Sequence, residues 1–178
     1  MRLTIRGCAR TQRPILRNCV LWLTKKFFRS DLSKNLTVQI TIKRQLDSPD
    51  ECGECEWVDE NARPRKFNIA IKRGQPFREI LLTLVHEMVH LRQFARNELF
   101  DYTITSDRSR WHTKVVDTSK TAYRDLPWER EAYGEQRALL YEWARDTDQM
   151  RSIRLIRAKK NKVKPKRAAK LRLTKSSP

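Results

Sequence analysis

The 178-residue sequence predicts an α+β fold, on three observations. Segments 36–42 (LTVQITI) and 67–72 (FNIAIK) alternate apolar and polar residues with the period of two that a half-buried strand requires. Segments 79–91 and 127–143 carry apolar residues at helical spacing. Strands come first and the two helices follow, so the expected architecture is a small mixed sheet packed on one helix, with a second helix against it.

Taken in order, residues 12–30 read as an amphipathic helix packed on the core, through Pro14, Ile15, Leu16, Cys19, Val20, Trp22, Leu23, Phe27 and Phe28. Residues 1–30 hold eight Lys/Arg and no acid, a faint likeness to a transit peptide that the helix pattern outweighs. Arg17 interrupts the apolar run there, so this segment is not expected to span a membrane. The sheet is expected over about 36–73, with an acidic, turn-rich stretch at 47–65 and a short strand at 56–58 inside it. Gly74 and Pro76 end the sheet region just before a helix over about 76–98, and the second helix is expected over about 127–148. These elements form an expected folded unit 1–148, followed by a basic, disordered tail 149–178.

The helix at 76–98 holds the segment His86-Glu87-Met88-Val89-His90, which spells H-E-x-x-H. Residues four apart on a helix lie one above the other, so both imidazoles can reach one metal ion, and Glu87 is placed to hold a water that the metal activates. Ile80, Leu81, Leu84, Val85, Met88, Val89 and Leu91 cover most of the helix circumference, which marks a buried helix. The exception is a strip of Thr83, His86, Glu87, His90 and Gln93. Polar groups are costly to bury without partners, so this strip should line a cleft or hold a metal.

A hydrolytic zinc site usually takes three protein ligands and a water. A metzincin site is excluded, because Gln93 and Arg96 stand where that pattern needs Gly and His. Trp128, Ala132, Gln136, Leu139, Leu140 and Trp143 define the inward face of the second helix. At about 100° per residue, Glu129 falls roughly 40° from the centre of that face and Glu131 roughly 120° away. A carboxylate aimed into an apolar face needs a compensating charge, so Glu129 is the favoured third ligand. Glu131 and His112 are the alternatives. Two imidazoles and a carboxylate suit Zn²⁺, one per chain.

Cys52 and Cys55 form a C-x-x-C, but no second such pair follows and no histidine lies near, so a hairpin turn is expected there rather than a second zinc site. Four cysteines with no signal peptide and no long apolar run point to a reducing, cytoplasmic setting.

Charge is divided unevenly. Residues 151–178 hold twelve Lys/Arg and no acid, and the +18 net charge resides in the two ends of the chain. Arg151, Arg154, Arg157, Lys159, Lys160, Lys162, Lys164, Lys166, Arg167, Lys170 and Arg172 are candidates for contacting nucleic acid through its phosphates. No aromatic residue follows Trp143, so sequence-specific reading is not expected.

His86-Glu87-x-x-His90 followed by Glu129-x-x-Ala132-Tyr133 resembles the gluzincin arrangement, in which a second helix supplies a glutamate ligand. More closely, the chain is similar to SprT-like metallopeptidases, particularly short phage-encoded ones with a P-W-E-x-E-A segment after the metal helix. The likeness spans about residues 36–143, and the two helical motifs carry it. Tyr133 stands where many gluzincins have Asp, and SprT proteins often use a third histidine, which keeps His112 in play. The resemblance implies a zincin-like fold, with the strand before the metal helix (67–72 here) as a rim that pairs with an extended peptide, and it implies proteolysis near DNA or RNA.

The expected activity is zinc-dependent hydrolysis of peptide bonds in a protein or peptide substrate, with Glu87 as general base and acid. Tyr123, Tyr133 and His112 are candidate donors to the oxygen on which charge develops. Two readings from other classes compete with it: a non-catalytic nucleic-acid-binding protein on the same scaffold, and a phage-encoded protein that binds a host factor through its acidic 47–60 loop. The sequence leaves oligomeric state open.

Overall fold

The structure, a computed structural model, describes residues 1–47, 51–59, 63–102, 107–151 and 153. Along them run β1 (Arg2–Arg6), α1 (Arg13–Phe27), α2 (Ser30–Asn35), β2 (Thr37–Lys43), β3 (Gly53–Trp57), β4 (Lys66–Lys72), α3 (Phe77–Ala95), β5 (Leu99–Asp101), β6 (Arg108–Trp111), β7 (Lys114–Asp117) and α4 (Pro127–Asp146). The class is α+β.

The main sheet has the order β1-β2-β4-β3. Its first three strands are parallel, with Ile5 opposite Ile40 and Ile40 opposite Ile69, and β3 closes the sheet antiparallel to β4. Val38, Ile40 and Ile42 alternate with polar residues along β2, as Phe67, Ile69 and Ile71 do along β4, and all six are buried. Those side chains form the core with the buried faces of α1, α3 and α4. The opposite face of the sheet is polar and shallow, lined by Gln39, Thr41, Lys43, Glu54, Glu56 and Asn68.

Helix α3 is buried along nearly its whole length, as its apolar circumference predicts. It begins after Pro76 and ends where Asn97 turns into the left-handed region (φ 60°). There Glu98 N–H donates to Gln93 O at 2.8 Å and Asn97 N–H to Phe94 O at 2.9 Å, the paired bonds of a Schellman stop. The same device ends α4, where Asp148 (φ 54°) precedes Gln149, whose N–H donates to Ala144 O at 2.8 Å. These stops reverse the chain sharply and so fix where β5 leaves α3.

Several expectations are corrected. The helix expected over 12–30 is two pieces, because Phe28 is extended (φ −129°) and breaks it. Residues 2–6, given no element from sequence, form β1, which has parallel backbone bonding to β2 as its partner. Gly7 allows this strand to turn under the sheet: it has φ +78°, and a Cβ there would overlap the Ile42 carbonyl. The short strand expected at 56–58 spans Gly53–Trp57, so Cys55 lies in a strand and not in a hairpin turn. Segment 67–72 is an interior strand paired on both sides, so β3 and not β4 is the free edge. A second sheet, β5-β6-β7, was not foreseen; its strands are three or four residues long, too short for a readable alternation. Beyond α4 the packing continues past the expected boundary at 148, with Ile153 buried in the core. Arg151 is exposed, and Arg154 to Arg172 of the basic segment lie outside the described residues.

No described helix is long and apolar enough to cross a membrane. Leu84 of α3 is fully buried in the core. Leu84→Ala is expected to lower the unfolding free energy by about 2–5 kcal/mol, seen as an earlier urea midpoint at unchanged slope; an unchanged midpoint would contradict this packing.

Candidate metal centre

One helical turn separates His86 from His90 on α3, and their Nε2 atoms stand 3.0 Å apart. Glu129, in the first turn of α4, reaches between them: Oε1 lies 3.2 Å from His90 Nε2 and Oε2 3.3 Å from His86 Nε2. Pro127 starts α4 just before it, and Trp128 and Ala132 bury the same side of the helix. All three ligand-type residues are buried, Glu129 to 2 % exposure, and their donor atoms lie within 4.8 Å of one another.

The outer partners fix which ring nitrogens carry protons. Gln93 Nε2 donates to Trp128 O at 3.1 Å and to Glu131 Oε2 at 2.8 Å, which leaves its Oε1 to accept from His90 Nδ1 at 2.8 Å. Gln136 Oε1 stands 3.2 Å from His86 Nδ1 in the same role. With protons on both Nδ1 atoms, both Nε2 lone pairs turn toward each other and toward a carboxylate. Glu129 Oε2 is buried and has no hydrogen-bond partner among the described residues. Two lone pairs and an anion in a buried space repel unless a cation lies among them, so the buried group His86, His90 and Glu129 could hold a metal ion.

Without a metal, a proton takes that place. Burial pulls the His90 pKa down, but the hydrogen bond to Glu129 and the charges of Glu87 and Glu129 outweigh it and hold the ring at about 9. Burial pushes Glu129 up, yet both histidines bring it to about 2. Glu87 is 4 % exposed, accepts no hydrogen bond among the described residues, and burial together with Glu129, Glu51 and Glu54 pushes it up to about 8 despite His90. A divalent cation beside it would favour its ionised form.

Glu87 stands where two parts of one cleft meet. The larger, about 710 Å³, runs past His90, Glu129, Trp57 and Asp101. The smaller, about 580 Å³, runs past His86, Thr83, Tyr133 and Arg124. Glu51, Gly53, Glu87 and Tyr123 line both. Gly53 was missed as a functional position. A Cβ on it would overlap the Glu87 carboxylate and Thr83 Cγ2, so only glycine lets edge strand β3 lie this close to α3. A glycine inside a strand is the sequence signal that could have found it. Gln136 was legible only as part of the inward face of its helix, and Glu51 and Asp101 carried no signal, because their neighbours come from distant segments.

The remaining sequence candidates separate clearly. Tyr123 is near enough to Glu129 that, after burial, that carboxylate raises the pKa of its hydroxyl. Tyr133 packs its ring against His86 at 4.6 Å between centroids. Glu131 turns outward as the helical-face argument predicts: it accepts from Arg92 at 2.6 Å and from Gln93, so it supports the site and is not part of the donor cluster. His112 is exposed in the turn between β6 and β7 with φ 52° and does not join the cluster. All four cysteines are free, and among the described residues no cysteine belongs to a group that could hold a metal.

Compared with known proteins, the chain matches no family model, no curated protein and no solved structure.

Two outcomes are expected. A metal must displace the proton that His90 keeps until about pH 9, so divalent-metal affinity should rise steadily from pH 7 to 9 with release of protons. Calorimetry in buffers of different ionisation enthalpy checks this, and a pH-independent affinity would contradict it. In metal-content measurements, Glu129→Ala should lose the ion and Glu131→Ala should weaken its binding by about tenfold. His112→Ala should leave binding unchanged; retention of the metal by Glu129→Ala would overturn the assignment of the cluster.

Proposed function

We propose that this chain is a zinc-dependent peptidase. The observation that carries the reading is a buried two-histidine, one-carboxylate cluster that faces a cleft, with the buried Glu87 carboxylate beside it. A closed structural site has no use for a buried base at its edge, whereas a hydrolytic site requires one. His86, His90 and Glu129 would hold Zn²⁺, which when bound lowers the pKa of a water to about 7 and polarises a carbonyl.

Glu87 takes a proton from the attacking water and passes it to the leaving amine. Burial raises its pKa to about 8 without a metal, and a bound cation would favour the carboxylate form that a base needs. Tyr123 is the favoured donor to the developing oxyanion, because it lines both parts of the cleft beside Glu129 and Glu87. Tyr133 holds the His86 ring from the other side. The free edge of β3, which passes directly over Glu87 at Gly53, offers backbone groups to an extended peptide.

The likeness to SprT-like and gluzincin-type enzymes supports the same reading, including the zincin-like fold and a cytoplasmic setting, the host's if the chain is phage-encoded. The basic segment that begins at Arg151 would add contact with nucleic acid without sequence specificity, and so place proteolysis near DNA or RNA. A non-catalytic nucleic-acid-binding or host-interaction protein is the alternative, and one experiment separates them.

Zinc-loaded protein, with and without DNA, is incubated with an unstructured protein substrate. The wild type should cleave it and lose activity on chelation. Glu87→Gln should keep about one zinc and its DNA binding while cleavage falls by about 10²–10⁴-fold. Equal cleavage by Glu87→Gln, or none by the zinc-loaded wild type in either condition, would sink the peptidase reading.

A further inference from the structure

We infer that the cleft selects a substrate with a cationic side chain, lysine or arginine, on one side of the bond to be cut. This rests on the peptidase reading and names the substrate class it would take.

The chain has a net charge of +18, yet the larger part of the cleft carries carboxylates at Asp47, Glu51, Glu54, Glu56 and Asp101 besides Glu87 and Glu129. Among the described residues no lysine or arginine lines it. Some of these acids are already engaged. Lys43 lies 3.5 Å from both Asp47 and Glu54, and Glu54 and Glu56 also line the opposite face of the sheet. Among the described residues, Glu51 and Asp101 are left for a ligand. Asp101 is a fixed group, since Ser109 Oγ, itself 6 % exposed, donates to its Oδ1 at 2.6 Å and leaves Oδ2 for a further donor.

Two independent observations mark this cleft as a place where something binds. Glu87, 96 % buried by its 4 % exposure, opens into it with no hydrogen-bond partner among the described residues. The wall also carries the aromatic rings of Trp57, Tyr102 and Trp128, surfaces that take the alkyl stem of a long cationic side chain and attract its charge. The second sheet supplies this wall through Asp101 and Tyr102, which gives the short strands β5 and β6 a role in recognition. On the other side of Glu87 the cleft sets Arg124 beside Glu79 and the shared Glu51, so the carboxylate excess is smaller there.

The test uses the full zinc-loaded chain and a set of quenched fluorescent octapeptides, identical except that one lysine replaces glutamine at each position in turn. Lysine on one side of the cut should raise kcat/KM by about fivefold, the upper range of one solvent-screened ion pair, and the gain should fade in 1 M salt. Asp101→Asn and Glu51→Gln should each bring the lysine-to-glutamine ratio toward one. Equal cleavage of all the peptides would overturn the inference while leaving the peptidase intact. If the wild type cleaves none of them, the peptidase reading fails on its own. Fluorescence anisotropy on the zinc-loaded Glu87→Gln chain then decides selectivity. Tighter binding of the lysine peptides, lost in the Asp101→Asn background, upholds it; equal binding of lysine and glutamine peptides overturns it.

Discussion

Three groups that repel one another share one small buried space in this protein: two imidazole Nε2 atoms 3.0 Å apart and the Glu129 carboxylate against both. Such an arrangement is stable only with a positive charge at its centre, a metal ion or failing that a proton on His90. Much of the surrounding architecture serves to hold it. Gln93 and Gln136 keep the Nδ1 protons in place and so keep the Nε2 lone pairs inward. Amide oxygens do this without adding negative charge, which matters where Glu87 and Glu129 already crowd the site.

The helix pair is locked from outside by Arg92. It is 8 % exposed, donates to Glu131 and Glu135 of α4 at 2.6 and 2.7 Å, and lies over the Phe27 ring of α1. Its two carboxylate partners are about a third exposed and partly screened, yet removing either leaves a buried guanidinium less compensated. Its further effect is positional. Glu131 receives both Arg92 and Gln93, so the salt bridge sets the amide that sets the His90 ring. The Trp143 indole, donating to Asn18 at 2.8 Å, ties the far end of α4 to α1 in the same way. The carboxylate of Glu129 is thus aimed by contacts along the whole length of its helix.

Edge strand β3 completes the site from the other side. Its antiparallel pairing with β4 places Gly53 opposite Ile71, and the missing side chain there leaves the space that Glu87 fills. Trp57, four residues on, stacks on Phe94 near the end of α3 with ring centroids 4.7 Å apart and keeps strand and helix at that separation. A strand edge, the buried Glu87 carboxylate and the donor cluster therefore meet in one cleft, and the second sheet walls its larger part.

The sequence by itself determined whatever depends on local spacing. The four-residue interval put His86 and His90 on one face of α3, and the inward angle of Glu129 against the outward angle of Glu131 followed from helical periodicity alone. The buried nature of α3 and the existence of strands at 37–43 and 66–72 were legible for the same reason, since one run of residues carries the whole pattern. Only the tertiary structure decided what depends on distant segments meeting. It excluded His112 from the cluster, moved the sheet edge from β4 to β3, and revealed β1, whose partner lies about thirty residues away. It also brought Gly53 and Asp101 to the cleft and Gln136 to the His86 ring, because strand pairing and helix contact are made across the chain, and which groups meet is not written in any one segment.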